Sequence, residues 1–248
     1  MSALDNLEKN DAIPGEVDVV GGRLHESGLY PCTIKLAYMG ESSGGAVSLT
    51  LKLEGDQKQD ITKTIYLTSG KAKGQKNTYI NKAGEEQYLP GFSMGQALAT
   101  LTLGKSISEL AKATTEKTID VYNFEAKSDI PTKVPMIMEL INQRILVGLI
   151  KRTVTKQAKN DAGIYVDTED TRDENEIDKF FHIDSRMTTS EVLAKAEVAK
   201  YVDTWDNNNT GITQDRTRKV AGTKGTPKGK VASNTKPTES LFEKSADK

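Results

Sequence analysis

Cysteine is nearly absent from this 248-residue chain: Cys32 is the only one. A single thiol forms no internal disulfide and supplies no cysteine-based zinc site. Histidine is almost as scarce. His25 and His182 both sit in polar settings, and no other histidine, cysteine or acid cluster pairs with His25 at ligand spacing. A Ser-His-Asp or Cys-His arrangement therefore has no credible base, and no catalysis is expected. No run reaches the ~18 apolar residues of a membrane helix. The opening Met-Ser-Ala-Leu-Asp-Asn-Leu-Glu lacks the basic start and apolar stretch of a signal peptide. A reducing, cytoplasmic setting is the expectation. Charge of one sign is lacking too: 34 Lys and Arg face 35 Asp and Glu, a net charge of −1. An anionic ligand must then be held by a local patch.

Mean hydropathy is −0.53, polar for a single compact domain. The length suits one domain with tails. The boundaries read as an N-terminal arm over 1–22, a main domain over 23–187, a C-terminal helix over 188–206 and a basic disordered tail over 207–248. Pro14-Gly15 and Gly21-Gly22 punctuate the arm, where Val17, Val19 and Val20 offer one edge strand. In the tail, Arg216, Arg218, Lys219, Lys224, Lys228, Lys230 and Lys236 are spaced by Gly, Thr, Ser and Pro. Such a segment has too little to bury to offset its ordering entropy.

Within the main domain, residues 29–39 read as a strand with Cys32, Ile34, Leu36 and Tyr38 on one face. Residues 46–54 return with Val47, Leu49, Leu51 and Leu53 in strict alternation, and 60–67 make a third strand. Pro90-Gly91 breaks the chain, and Ser93 caps a helix over 94–103. Gly104 ends it, and a shorter helix covers 106–113. A fourth strand spans 116–124, with Ile119 and Val121 toward the core, joined by Tyr122 or Phe124. Pro131 and Pro135 flank a connection, and 136–141 reads equally as strand or helical turn. A long strand fills 143–156. After a turn at Asn160-Asp161-Ala162-Gly163, short strands at 164–166 and 179–183 flank the acidic run 167–178, a solvated loop. A helix then places Val192, Ala196, Ala199, Val202 and Trp205 on one stripe and ends at 207–211. Three strands, a helix, a strand and a long strand make the order of an OB fold. The fold class is mainly β (β+α): an OB-fold-like five-stranded barrel with an inserted hairpin and a C-terminal helix.

The residues with most to say lie in 61–92. Lys71, Lys73, Lys76 and Lys82 alternate with Tyr79 and Tyr88 on a Gly/Ser/Asn-rich, mobile connection, and Lys63 and Tyr66 lead into it. Unpaired bases need a ring to stack on and their phosphates need cations. Tyr38, Tyr66, Tyr79 and Tyr88 are the candidate stacking platforms. Lys63, Lys71, Lys73, Lys76, Lys82, Arg152, Lys156 and Lys159 are the candidate phosphate contacts. The plain alternative is a solvated hairpin whose lysines serve solubility. No metal or cofactor is expected. The acidic run lacks the calcium-loop spacing and its glycine. Asp206, Asn208, Thr210 and Gly211 match that spacing better, but Thr217 stands at the twelfth position, so a helix end is preferred. Gly70 and Gly74 are wrongly spaced for a phosphate-binding loop, and Gln75 follows them.

Ser27-Gly28-Leu29-Tyr30, 64–68, 79–92, Lys159 through Gly163 and 171–181 together resemble bacteriophage single-stranded DNA-binding proteins of the OB-fold type. The resemblance spans about residues 27–183. It implies non-catalytic coating of single-stranded DNA in replication or recombination, in the cytoplasm of an infected host cell, beside replication or recombination proteins. Many such proteins end in an acidic tail with a terminal aromatic that recruits partners. This chain has Glu239-Ser240-Leu241-Phe242-Glu243 but ends Ala246-Asp247-Lys248 behind a basic linker, a departure from that pattern. The competing classes are a structural or protein-interaction β-domain, such as a virion or assembly component, and a metal-dependent nuclease resting on the acidic run alone.

Overall fold

The computed structural model describes residues 24–57, 59–123, 126–160 and 163–218. The expected N-terminal arm, Phe124 and the tail from residue 219 lie outside them. The fold is mainly β and antiparallel. Strands β1 (Gly28–Glu41), β2 (Val47–Gly55) and β3 (Asp60–Tyr66) form the expected meander. Leu49, Leu51 and Leu53 of β2 are fully buried, so the alternation in the sequence has become one core-facing row.

β1 departs from its expected single face. The register with β2 shifts between Ile34 and Leu36. Cys32 and Ile34 are buried before the shift, Ala37 and Met39 after it. One extra residue moves every later side chain to the opposite face. Leu36 and Tyr38 are therefore half-buried on the outer side.

After β3 come a 3₁₀ turn at Lys71–Lys73 and a small hairpin, β4 (Thr78–Ile80) and β5 (Glu86–Tyr88). Helix α1 covers Pro90–Leu103. It starts four residues before the expected 94, without a cap from Ser93. Pro90 stands at N1, where its missing N–H removes nothing from the helix and its fixed φ suits it. Helix α2 (Ile107–Lys112) is the expected short helix, with Ser106 outside it as the cap and Glu109 closing a capping box. Leu98, Ala99, Leu101, Ile107 and Leu110 of the two helices join the main core.

The expected fourth strand is β6 (Thr115–Asn123), but it does not enter the main sheet. Among the described residues it pairs only with β7 (Ser128–Met136), and β7 reaches β1 at Tyr38 through Met136. Ile119 and Val121 are half-buried rather than core, and Tyr122 is exposed. Pro131 and Pro135, expected to flank a connection, lie within β7, each paired to one neighbour only. A strand position with a neighbour on one side alone tolerates proline, which lacks a donor. Residues 136–141 divide between the end of β7 and a 3₁₀ turn at Met138–Leu140.

Strand β8 (Arg144–Lys159) pairs antiparallel with β1 over its first part and with β9 (Tyr165–Phe181) along nearly all its length. The acidic run is thus a strand and not a loop. Its side chains face partners on β8 that make the charge tolerable: Glu174 opposes Arg152 and Asp173 opposes Thr153. The main sheet reads β9–β8–β1–β2–β3. Among the described residues no ladder joins β3 to β9, so no closed barrel forms. Helix α1 packs against β3, β8 and β9 at that gap.

The expected single C-terminal helix is two: α3 (Thr189–Leu193) and α4 (Tyr201–Asn209). Lys195 between them has φ of 52°. One carboxylate serves both starts. Glu191 closes a capping box with Thr188 and also accepts from the backbone N–H of Lys200 and Tyr201 at 2.8 and 2.9 Å. Val202 and Trp205 of α4 cover Leu146, Ile150 and Phe181, a second core on the outer side of β8. Val192 of the expected stripe is exposed. Beyond Gly211 the chain is not all tail: β10 (Thr213–Arg216) pairs parallel with Lys151–Val154. Buried Ser27 fixes it, donating to the Ile212 carbonyl and accepting from the Lys151 N–H.

Two stability predictions follow from these contacts. A Cβ on Gly148 would lie 2.8 Å from Cζ2 of buried Trp205. Gly148→Ala should therefore cost about 1–3 kcal/mol by overpacking, seen as a melting point lowered by several degrees. The Thr188 backbone N–H, with those of Lys200 and Tyr201, holds the Glu191 carboxyl down from 4.5 to about 2. A depressed carboxyl stabilises the fold above its unfolded value and loses that contribution as pH falls. Glu191→Gln should melt lower than wild type at pH 7, and the difference should vanish between pH 4.5 and about 2, as followed by circular dichroism.

Candidate nucleic-acid interface

The basic segment after β3 is pinned, against its expected mobility. The Lys71 N–H donates to the Gly44 carbonyl at 2.8 Å, and Gln75 Nε2 donates to the Gly45 carbonyl at 2.6 Å. Both acceptors lie in the β1–β2 turn. Ser69 N–H donates to the Lys76 carbonyl, and Lys76 N–H returns the bond to Ser69 Oγ. At the other end, Gly91 lies against β3. A Cβ there would be 2.0 Å from the Tyr66 carbonyl oxygen, so only glycine permits the approach. This brings the start of α1 beside the end of β3.

Three of the four candidate rings are exposed: Tyr66 by 53%, Tyr79 by 41% and Tyr88 by 59%. Tyr79 donates across the hairpin to Gln87 Oε1 at 3.2 Å. Tyr88 leans on Phe92 with centroids 4.9 Å apart. Tyr38 is half-buried on the outer face of β1, in a row with Thr50 of β2 and Thr64 of β3. Thr64 and Tyr66 alternate outward along β3.

The candidate cations fall into two kinds. Lys73, Lys76, Lys82 and Lys156 are exposed and have no carboxylate partner among the described residues. Lys159 is exposed, with its Nζ 5.4 Å from the Tyr165 ring centroid. The others are occupied. Lys71 meets Glu41 at 2.8 Å, with both side chains open to solvent. Lys63 reaches from β3 to Glu176 of β9 at 2.7 Å, and Arg152 meets Glu174 at 2.7 Å and Glu176 at 2.5 Å. These half-buried pairs cross or border the gap between β3 and β9. The structure thus gathers Tyr66, Lys71, Lys73, Lys76, Tyr79, Lys82 and Tyr88 around one loop and hairpin. Arg152, Lys156 and Lys159 lie along β8, and of these Arg152 meets Lys63 of β3 on the shared Glu176 carboxylate.

No family model and no curated protein matches this chain.

Two hollows were invisible in the sequence. One, of about 540 Å³, lies along β8 and is lined by Arg152, Tyr165, Arg172, Arg216 and Arg218. Beside Arg152 of β8 stand Arg172 from the acidic run and Arg216 and Arg218 from the expected tail, and only the pairing of β9 and β10 with β8 assembles them. The other, of about 590 Å³, is an apolar groove between α1 and α3 lined by Tyr88, Phe92, Met94, Phe180 and Leu193. Among the described residues no group of three His, Cys, Asp or Glu is placed to hold a metal. None of the described helices is long and apolar enough to cross a membrane.

The two kinds of lysine should separate in melts. An exposed pair contributes at most about 1 kcal/mol, whereas removing one member of a half-buried pair strands its partner. Lys71→Ala should leave the melting point within about a degree, and Lys63→Ala should lower it clearly. Equal shifts would count against a structural role for the Lys63–Glu176 contact.

Proposed function

We propose that this chain is a non-catalytic single-stranded DNA-binding protein. The observation that carries the reading is the loop-and-hairpin surface. It offers three exposed tyrosine rings beside Lys73, Lys76 and Lys82, which no acid among the described residues neutralises, on a backbone held by its own hydrogen bonds. Rings stack on any base, and free ammonium groups exchange counterions for phosphates. A pinned loop has little conformational freedom left to lose on binding.

The strand order β9–β8–β1–β2–β3 supports a partly open barrel of the OB type, with the Lys63–Glu176 contact spanning its seam. In that architecture the second and third strands form the oligonucleotide face between two loops. Thr50, Thr64 and Tyr66 would lie on it, flanked by the Lys71-covered β1–β2 turn and by the β8–β9 arm with Lys156 and Lys159. Work in phage replication or recombination, inside an infected cell and beside replication or recombination proteins, rests on the sequence resemblance.

One observation favours a second reading, a protein-interaction β-domain: the apolar groove beside Phe92 and Phe180. Fluorescence anisotropy with labelled oligo-dT separates the two. Wild type should bind, with log K falling linearly in log salt. Changing Lys73, Lys76 and Lys82 together to Glu should weaken binding and flatten that slope by roughly 2, at −0.7 per phosphate. Binding that the triple variant leaves untouched would reject the surface. No binding at low salt would reject the function.

A further inference from the structure

Across the three strands β9, β8 and β10, residues in register share one face. One row reads Glu174–Arg152–Gln214, and the next reads Arg172–Val154–Arg216. Neighbouring strands lie ~4.8 Å apart, so the backbones bearing Arg172 and Arg216 stand roughly 10 Å apart across Val154. Ile150 and Val154 give the hollow an apolar floor, and Tyr165 lines it. Glu174, Glu176 and Asp178 line its β9 side, Glu174 held by Arg152, Glu176 by Arg152 and Lys63, and Asp178 by the Trp205 N–H. Arg218 stands beyond Arg216, 3.6 Å from Asp167.

The charges are poised unevenly. Arg172 meets Glu174 at 3.1 Å with most of its side chain in solvent. Arg216 bonds only the neutral amide oxygen of Gln214, at 3.1 and 3.3 Å, and has no carboxylate partner among the described residues. A guanidinium without an acid, facing another across an apolar floor, suits a ligand with anions along its edges and flat apolar groups between them. Phosphates accept the planar fork in pairs of bonds. Bases cover the valine and the tyrosine ring. An acidic peptide would satisfy the arginines but not that floor.

We infer that this trough is a second contact surface for the same unpaired strand, with Arg172, Arg216 and Arg218 on phosphates and Tyr165 under a base. The inference rests on the proposed single-stranded DNA binding and extends it to residues on the far side of Arg152 from the lysine loop. Glu174 competes with phosphate for Arg172 and Arg152, so the surface engages a polyanion before it engages a single phosphate.

The test uses the full chain and a 30-nucleotide oligo-dT over a salt series. Arg172→Gln with Arg216→Gln should flatten the salt slope by about 1.4, and Arg216→Gln alone by about 0.7. Tyr165→Ala should lower affinity at least about fivefold. Arg216 is exposed, so its single variant tests the surface even where the double variant folds poorly. An unchanged slope in the Arg216 variant, with wild type binding normally, overturns the inference and leaves the lysine loop standing. Failure of wild type to bind any oligo-dT overturns the proposed function and this inference with it. Displacement by poly-glutamate as effective as by unlabelled oligo-dT overturns the assignment to a nucleic acid.

Discussion

β8 is buried on both faces between Ile145 and Ile150, and the rest of the molecule is arranged to make that possible. Ile145, Val147 and Leu149 enter the main core, while Leu146 and Ile150 enter the smaller one under α4. A strand covered on both sides needs neighbours on both edges and a layer above each face. β1 and β9 supply the edges, α1 and the β1–β3 meander one layer, and Trp205 the other. Gly148 lets the indole lie directly on the strand. Past Ile150 the covering helix ends, and the same strand becomes polar and open. That change from doubly covered to exposed creates the arm and the arginine trough.

How much was legible in the sequence follows from where each signal is carried. β2 shows its alternation in its own nine residues, so the meander could be read directly. The short helix after Gly104 is likewise local. β9 is different. Seven acids in twelve residues look like a solvated loop until Arg152 and Thr153 are placed opposite them, and that pairing is not written in β9. The break between α3 and α4 was hidden because Val192, Ala199 and Val202 keep helical spacing across a gap held by Glu191. β10 was hidden by its company, since its four polar residues were read with the tail that follows.

The candidate site divides along the same line. Exposure of Tyr79 and Tyr88 fits their polar Gly, Asn, Lys and Glu surroundings, which cannot pack, whereas Tyr66 ends a strand between Ile65 and Leu67 and only the pairing of β3 turns it outward. Availability of a cation does not follow from sequence at all. Lys63 and Glu176 are 113 residues apart, and Lys76 and Lys63 look equally free when read alone. Only the meeting of β3 with β9 assigns one to holding the fold and leaves the other for a ligand. Arg216 is the converse case, a cation read as part of a tail that the sheet sets into a built surface.

Trp205 is the sole indole of the chain and only 3% exposed. Its Nε1 donates to Asp178 Oδ2 at 2.6 Å, and its ring meets Phe181 edge-on at 6.0 Å. Its near-ultraviolet signal therefore reports whether the last helix is seated on β8. The phenol rings around the loop report contact with solvent or solute. Intrinsic emission from this protein thus carries two separable messages, one about integrity and one about occupancy, at excitation wavelengths a single instrument can alternate.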